Sequence, residues 1–441
     1  MNIGYVGLGA LGAELARRFL PGHTLRVWDL GQAARAKFEG SEAEVSASAA
    51  ALARDSDVVL LCLPRSADVR QLLFGEGGLA QGLSPGKLVI DQTSGVPAET
   101  AAIAGELALR GVAMVDAAVS ASPLTVHTGA ATLMVAGTAE VVDRALPILH
   151  AITSTIMRCG GRVGDGQAVK LVNNAINAVT RLGTLEMAAL GRKAGYSLSS
   201  ICATLNTGAA RNQTTDKMLP ALARGEASTN FALSLMLKDL NQAVDLGMLH
   251  GAPMPLSGLT RSLLQLGLNT VGEQARLEDM VGVMESIVGV QIAAESSKAA
   301  AVDPHSLPML QMALAALCRA VTLECVMAGF KHGLEMDVMC KVLTQSSGWS
   351  GAGATLLPSL AGYEREVPAP LAPWVDAQRK TAQMSFRCAA PTLMSTAVHG
   401  LLEGAAAEFG AQADLAHLTE LSARSAGVRL HLDRDRQVPV R

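Results

Sequence analysis

This chain has few aromatic residues and little excess of charge of either sign. Only 3% of its 441 residues are aromatic, and the formal net charge is −3. A near-neutral chain without runs of like charge lacks the attraction that nucleic-acid and acidic-membrane binders need, so we expect neither kind of partner. The hydrophobic fraction of 49% allows large cores, and the length predicts two or three domains.

Zinc-type cysteine patterns and long uncharged apolar runs are lacking as well. The seven cysteines are scattered singly, without a CxxC pair or a Cys/His cluster, so no metal site is expected. Unpaired thiols are typical of a reducing compartment, which predicts a cytoplasmic location. The apolar N-terminal residues lack the basic segment that begins a signal peptide, and they include Glu14. No other stretch has the long uncharged apolar sequence of a membrane span.

The N-terminus carries a dinucleotide-binding pattern. A β-type run at residues 2–6 leads into Gly7-Leu8-Gly9-Ala10-Leu11-Gly12, and a helical pattern follows. In this context Gly7 permits the tight turn, Gly9 lets a pyrophosphate approach the backbone, and Gly12 lets helix and strand pack closely. The pattern predicts a nucleotide-binding α/β domain.

An acidic residue at the end of the second predicted strand bears on the choice of cofactor. Residues 24–28 have β-type composition and are followed by Asp29. A carboxylate there accepts hydrogen bonds from the adenosine ribose and repels a 2′-phosphate. We therefore predict NAD, with NADP less favoured. Arg26 and Arg35 flank the aspartate and weaken this preference.

Further β-type runs alternate with helical segments, as in a doubly wound parallel sheet. Strand ends in such a sheet face the ligand. Leu63 and Pro64 follow one run, the stretch 91–94 follows a second, and a third, at 112–115, is predicted to end at Asp116. Another run lies at 132–135. After Gly164 the pattern is helical throughout, so the first domain is predicted to end at residue 163.

The stretch from Gly164 to Asn177 combines a glycine turn with a polar helix face. Lys170 and Asn174 lie four residues apart and so project from the same face of a helix. An amine beside an amide can exchange a proton with a hydroxyl group and hold the molecule that carries it. Taken alone, the stretch also fits a helix N-terminus with a solvent-reaching lysine.

An internal repeat with one constant offset spans the helical part. Residues 184–186 (Thr-Leu-Glu) recur at 322–324, and Leu219-Pro220 recurs as Leu357-Pro358. At this repeat offset the second copy has Pro308 where the first has Lys170, and Met312 where the first has Asn174. We interpret this as a duplicated domain whose second copy is structural. The predicted divisions are 1–163 for NAD binding, 164–300 for the substrate, 301–427 for the degenerate copy and 428–441 for an aperiodic tail.

Four motifs in this order resemble the β-hydroxyacid dehydrogenase family, which includes 3-hydroxyisobutyrate dehydrogenase, tartronate semialdehyde reductase and 6-phosphogluconate dehydrogenase. They are the N-terminal glycine motif, the segment 116–120, the G-x-G-x-x-x-K-x-x-x-N at 164–174 and the F-x₆-K-D at 231–239. The resemblance covers residues 1–295. It implies that Lys170 is the general acid/base, that Asn174 and Ser120 hold the substrate, and that Phe231 and Lys238 line the same pocket.

The predicted site residues follow from these motifs and strand ends together. The substrate set is Ser120, Ala121, Ser122, Asn174, Phe231 and Lys238, with Lys170 catalytic. The cofactor set is Gly7, Leu8, Gly9, Ala10, Leu11, Gly12, Asp29, Leu63, Pro64, Thr93 and Lys238.

The substrate motif departs from the family pattern. Ala121 and Ser122 stand where the family usually has two glycines that approach the substrate carboxylate, and Pro123 follows. This changes the shape of the carboxylate pocket, so the motif does not specify the acid. A role for the nearby His127 is one possibility, and a loop histidine without a role is the other.

The resemblance implies NAD-dependent oxidation of a β-hydroxy acid to a semialdehyde or β-keto acid, or the reverse reduction. An imine reductase-like enzyme and a non-catalytic dinucleotide-binding module are the alternatives. The duplicated helical domain resembles that of the longer 6-phosphogluconate dehydrogenases. It predicts either an intrachain pseudo-dimer or a homodimer.

Overall fold

The computed structural model of the chain contains two compact units, Met1–Lys170 and Leu171–Arg441. It describes residues 1–121, 123–229, 231–293, 306–433 and 436–440. The predicted substrate residue Ser122 lies outside the described residues, and so does the predicted division at 300/301.

The first unit is built on one eight-stranded sheet with the strand order β3-β2-β1-β4-β5-β6-β7-β8. The strands are β1 Asn2–Val6, β2 Thr24–Trp28, β3 Glu44–Val45, β4 Val58–Leu61, β5 Leu88–Asp91, β6 Ala113–Ser120, β7 Thr132–Ala136 and β8 Thr155–Gly160. The helices are α1 Ala10–Arg17, α2 Gln32–Ala36, α3 Ala49–Arg54, α4 Ser66–Phe74, α5 Pro97–Ala108, α6 Pro123–His127 and α7 Ala139–Leu149.

Apolar residues on both faces of the strands explain why helices cover the sheet on both sides. Alternate residues of the central strands belong to two separate buried clusters: Tyr5 and Leu60 lie in one, Val6 and Leu61 in the other. A strand that is buried on both faces is typical of a parallel sheet with crossover helices. The predicted α/β nucleotide-binding domain with a parallel sheet is confirmed.

The third ligand-facing strand differs from the prediction. It does not end at Asp116 but continues as β6 to Ser120, because β7 pairs antiparallel with this extension from Asp116↔Ala136 to Ser120↔Thr132. The acidic residue is therefore buried inside the sheet. The edge strand β8 was not predicted, and its mixed burial pattern explains why it escaped a search for apolar runs.

The second unit is helical. Its elements are α8 Asp165–Lys193, which begins in the first unit, then α9 Leu198–Leu205, α10 Leu219–Ala223, α11 Leu233–His250, α12 Pro255–Val271, α13 Met280–Val288, α14 Ser306–His332, α15 Met336–Leu343, α16 Gly351–Leu360, α17 Ala372–Arg387, α18 Leu393–Phe409, α19 Ala416–Ser425, and the strands β9 Arg429–Asp433 and β10 Arg436–Val440. The last two strands form an antiparallel hairpin. The tail, which the sequence predicted only as aperiodic, thus contains two paired strands among its described residues.

The helix α14 forms the centre of the helical unit. Among the described helices it is the one long and apolar enough to cross a membrane, and its apolar window is entirely buried within the unit. Burial on all sides explains why this helix is apolar around its whole circumference.

Two buried glutamates occupy reciprocal positions in the helical unit. Glu186 of α8 accepts hydrogen bonds from the backbone N–H groups of Met394 (2.9 Å) and Ser395 (2.8 Å), where α18 begins. Glu324 of α14 accepts from Leu256 (2.9 Å) and Ser257 (2.8 Å), where α12 begins. Each carboxylate thus caps a helix that is distant in sequence.

Candidate active site

The glycine motif after β1 fits a dinucleotide. A side-chain carbon at Gly7 would lie 2.2 Å from the Cys62 carbonyl oxygen, and one at Gly12 would lie 1.9 Å from the Gly7 carbonyl oxygen. A side-chain carbon at Gly9 would meet nothing within 4 Å. Packing therefore requires the outer two glycines, while Gly9 leaves open space at the start of α1. The unpaired N–H groups of that helical turn suit a pyrophosphate.

Asp29 links the end of β2 to this glycine loop. Its carboxylate accepts hydrogen bonds from the backbone N–H groups of Leu8 (2.6 Å) and Gly31 (2.7 Å). Arg26 pairs with Glu44 at 3.2 Å, and Arg35 donates to the Asp29 carbonyl oxygen at 2.5 Å. Both neighbouring arginines therefore have partners within the protein.

The remaining predicted cofactor residues differ in exposure. Leu8 has a fully buried side chain and its backbone N–H donates to Asp29, so this residue supports the glycine loop. Ala10 is exposed and Leu11 is half-buried at the start of α1. After β4, Pro64 is exposed and the Leu63 N–H donates to Thr93 Oγ1 at 3.1 Å. The ends of β4 and β5 are thus joined directly.

Asp116 holds the start of α8 against the sheet. Its carboxylate accepts hydrogen bonds from the backbone N–H groups of Gly164 (2.6 Å) and Gln167 (2.8 Å). Burial raises the pKa of Asp116 to about 8, against the opposing effect of these two donors. Gln167 Nε2 also donates to the Thr93 carbonyl oxygen at 3.0 Å. This aspartate therefore anchors the helix that carries Lys170.

The glycines of the turn before α8 are explained by the same packing. Gly164 has a φ of +102°, which favours glycine. A side-chain carbon at Gly166 would lie 2.5 Å from the Met134 carbonyl oxygen and 2.6 Å from Asp116 Oδ2. The G-D-G turn thus lets α8 begin close to β6 and β7.

Lys170 lies one turn after this anchor. Its side chain is buried, with 8% exposed, and its Nζ donates a hydrogen bond to Ser94 Oγ. Ser94 lies just beyond β5, where a parallel sheet presents its ligand-facing edge. Within the same unit, Ser120 ends β6 and is half-buried, as is Ala121.

The helical unit holds the other predicted substrate residues. Asn174 Nδ2 donates to Asp239 Oδ2 at 2.7 Å, and Lys238 Nζ lies 3.3 Å from Asp239 Oδ1. Phe231, half-buried, precedes α11, and its carbonyl oxygen accepts from the Leu277 N–H at 2.9 Å. Asn174 and Lys238 therefore share one buried carboxylate.

Three polar residues of this arrangement were missing from the predicted site. Ser94 contacts the Lys170 amine, Gln167 joins α8 to β5, and Asp239 orients Asn174. All three could have been found, since each belongs to a stretch that the sequence already singles out. His127 is exposed on α6, 3.8 Å from a Glu14 carboxylate oxygen.

The comparisons with known proteins agree with this fold. A family model described as the NAD binding domain of 6-phosphogluconate dehydrogenase matches residues 2–161. A second, described as the NAD-binding domain of NADP-dependent 3-hydroxyisobutyrate dehydrogenase, matches residues 164–284. Together the two models cover both the sheet unit and the first half of the helical unit.

Similar proteins are dehydrogenases and reductases. The chain is 32% identical over 263 residues to 3-sulfolactaldehyde reductase of Escherichia coli, covering 59% of this chain and 88% of that protein. It is 32% identical over 273 residues to NAD-dependent L-serine dehydrogenase of Pseudomonas aeruginosa, covering 60% and 91%. The crystal structure of 3-hydroxyisobutyrate dehydrogenase from Salmonella typhimurium matches with a TM-score of 0.56 and 25% identity, covering 64% and 99%.

The fold, the glycine loop and these relatives define an NAD(P)-dependent oxidoreductase. The chain belongs to the β-hydroxyacid dehydrogenase family. The family predicted from four motifs is thereby confirmed.

Proposed function

We propose that this enzyme oxidises a β-hydroxy acid to the semialdehyde or β-keto acid, or catalyses the reverse reduction, with Lys170 as general acid/base. The observation that carries the proposal is the buried Lys170 amine held by Ser94 beyond β5. When bound, a nicotinamide cofactor would accept the hydride in oxidation and supply it in reduction. Lys170 Nζ takes the proton from the substrate hydroxyl group in oxidation and returns it in reduction.

The remaining polar groups would bind and orient the substrate. Asn174 keeps its amide direction because its Nδ2 is bonded to Asp239. We assign Asn174 and Ser120 to the substrate's polar groups, and Phe231 and Lys238 to the surrounding wall. Ala121, next to Ser120, adds a methyl group where the related motif has glycine, which changes the shape of the carboxylate pocket.

The experiment is a panel of small hydroxy acids assayed for reduced cofactor. The panel contains 3-hydroxyisobutyrate, L-serine and L-threonate, with NAD and NADP tested separately, and the reductive direction is tested with 3-sulfolactaldehyde. We expect turnover of at least one member. Binding of NADH without turnover of any member in either direction would overturn the proposed function.

We further propose NAD as the preferred cofactor, with NADP less favoured. The Asp29 carboxylate follows β2, and both adjacent arginines are already bonded, Arg26 to Glu44 and Arg35 to backbone carbonyl oxygens. A 2′-phosphate would therefore meet a negative charge without a free positive partner from these two residues.

Replacing Asp29 by asparagine should shift this preference. We expect the ratio of kcat/KM for NADP to that for NAD to rise about ten- to hundredfold, since one like charge is removed near the ribose. Steady-state kinetics with both cofactors measure the ratio. The exposed Glu39→Gln in the same unit is the matched control, and an unchanged ratio in the Asp29 variant would contradict the assignment.

We also propose that residues 164–300 and 301–427 are copies of one domain and form a pseudo-dimer within the chain. In support, α9 and α15 begin and end at equivalent positions when the chain is aligned with itself at the offset that relates residues 184–186 to 322–324. The same holds for α12 and α18. The helix caps from Glu186 and Glu324 are reciprocal at the same offset. Asn212 forms a β-bridge with Ser350, its own equivalent in the second copy, as expected where a local two-fold axis passes. Assembly of two such chains into a homodimer is the other possibility.

The alternatives have less support. The two relatives described above are named as a reductase and a dehydrogenase of small molecules of this kind, which does not favour an imine reductase or a non-catalytic module. A cytoplasmic location is proposed from the seven free cysteines.

A further inference from the structure

A loop of the second helical copy contacts α8 beside Asn174. This loop, residues 344–349, follows α15. Asn173 Nδ2 donates to Ser347 Oγ at 2.9 Å, and the Gly348 N–H donates to Asn173 Oδ1 at 2.7 Å. One turn further along, Asn177 Nδ2 donates to the Ser347 carbonyl oxygen at 2.6 Å. Three hydrogen bonds therefore join loop 344–349 to the polar face of α8.

The same hydrogen-bond network extends to the side-chain amide of Asn174, which we assign to substrate binding. Asn173 Nδ2 also donates to Asn174 Oδ1 at 3.1 Å, while Asn174 Nδ2 donates to Asp239 Oδ2 at 2.7 Å. Both ends of the Asn174 amide are therefore held by buried partners. Because the two ends of an amide have nearly the same shape, only its hydrogen-bond partners determine which end faces a ligand.

The loop is also held firmly in place. A side-chain carbon at Gly348 would lie 2.8 Å from both the carbonyl oxygen and Oδ1 of Asn173, so glycine permits this close approach. The Arg211 guanidinium lies 5.2 Å from the centre of the Trp349 ring. The Gly351 N–H donates to the Arg211 carbonyl oxygen at 2.7 Å.

A loop of the first copy makes a comparable contact with α14 of the second copy, where the catalytic residue types are absent. Gln311, the equivalent of Asn173 in the second copy, donates through Nε2 to Thr207 Oγ1 at 2.6 Å and to the Thr207 carbonyl oxygen at 3.0 Å. There α14 carries Pro308 and Met312 in the positions of Lys170 and Asn174. Both contacts hold a loop to a helix in the same manner, but of these two only the contact at Asn173 adjoins a side-chain amide assigned to substrate binding, that of Asn174.

We infer that loop 344–349 of the second copy is a positioning element for the substrate site of the first copy. Ser347 and Gly348 fix Asn173, and Asn173 presents the Asn174 amide in one orientation to the hydroxy acid. The second copy has lost its own polar set and supplies this support within the same chain. The inference rests on the proposed function, since it assigns the orientation of a substrate-binding amide.

The test compares Ser347→Ala and Asn173→Ala with the matched control Gln311→Ala in the full-length enzyme. For the hydroxy acid found in the panel, we expect KM to rise about five- to tenfold in the first two variants, the effect of losing one oriented hydrogen bond. The KM for NAD should match that of Gln311→Ala in both variants, and so should the Tm of Ser347→Ala, in which the partly buried hydroxyl group alone is removed. Ser347→Thr keeps the hydroxyl group and should retain the wild-type substrate KM.

The possible failures are distinguishable. An unchanged substrate KM in both Ser347→Ala and Asn173→Ala, with an active wild-type enzyme, overturns this inference alone. Equal rises in the KM for substrate and for NAD, together with a lower Tm than the control, indicate a purely structural role and also overturn it. An inactive wild-type enzyme overturns the proposed function, and this inference with it.

Discussion

Replacing Lys170 by alanine is expected to lower the turnover of the active hydroxy acid by about two orders of magnitude or more, the usual contribution of a positioned acid/base. The amine is buried and held by Ser94, and alanine leaves no other amine at that position of α8. Cofactor binding should remain intact, because the glycine loop and Asp29 lie on other elements of the sheet unit.

The measurement is kcat in both directions, with NADH binding followed separately by fluorescence. Lys193→Ala is the matched control, since Lys193 lies in the last turn of the same helix and donates to backbone carbonyl oxygens instead. Equal turnover in Lys170→Ala and the wild type would remove the lysine from the mechanism. Loss of NADH binding together with turnover would show that the substitution had damaged the fold.

The second large effect concerns stability and pH. Burial raises the pKa of Glu186 and of Glu324 to about 7, from an ordinary value of 4.5. The folded state thus binds these protons more tightly than the unfolded state. The contribution of this tighter proton binding to the free energy of unfolding is fully present below about pH 4.5. It is lost as the pH rises through about 7. Each group accounts for about 3 kcal/mol of this loss.

Glutamine at both positions should remove much of that pH dependence. The amide keeps one oxygen to accept from the helix N-terminus and carries no charge at any of these pH values. We expect the free energy of unfolding of Glu186→Gln/Glu324→Gln to fall less between about pH 5 and pH 8 than that of the wild type. Asp91 and Asp116, whose pKa values burial raises to about 6 and about 8, retain part of the slope.

Urea unfolding monitored by tryptophan fluorescence reports mainly on the helical unit, which contains Trp349 and Trp374, while the third tryptophan, Trp28, lies on β2. Glu273→Gln, an exposed carboxylate in the same unit, controls for the change of charge. The two single variants also test the duplication: equivalent positions should lose similar parts of the slope. Parallel pH profiles for the double variant and the control would refute the raised pKa values of the two glutamates.

Much of the first unit could be predicted because its signals are local. The glycine loop, Asp29 and the alternation of apolar strands with helices depend on residues close together in sequence, where the strand–turn–helix context restricts the structure. The extension of β6 past Asp116 could not be predicted, because it depends on pairing with β7, which comes later in the chain. The hairpin β9–β10 was likewise concealed by its charged residues.

The site shows the same division. Sequence patterns alone indicate the family, the helix that carries Lys170 and Asn174, and the internal repeat at one constant offset, since periodicity and spacing express these directly. The folded chain was needed to show that Asp116 anchors α8, that Ser94 holds the lysine, and that Ser347 reaches Asn173 from a distant part of the chain. The physical reason is that a buried polar group must find a partner wherever the fold brings one. No local pattern specifies which distant residue that will be.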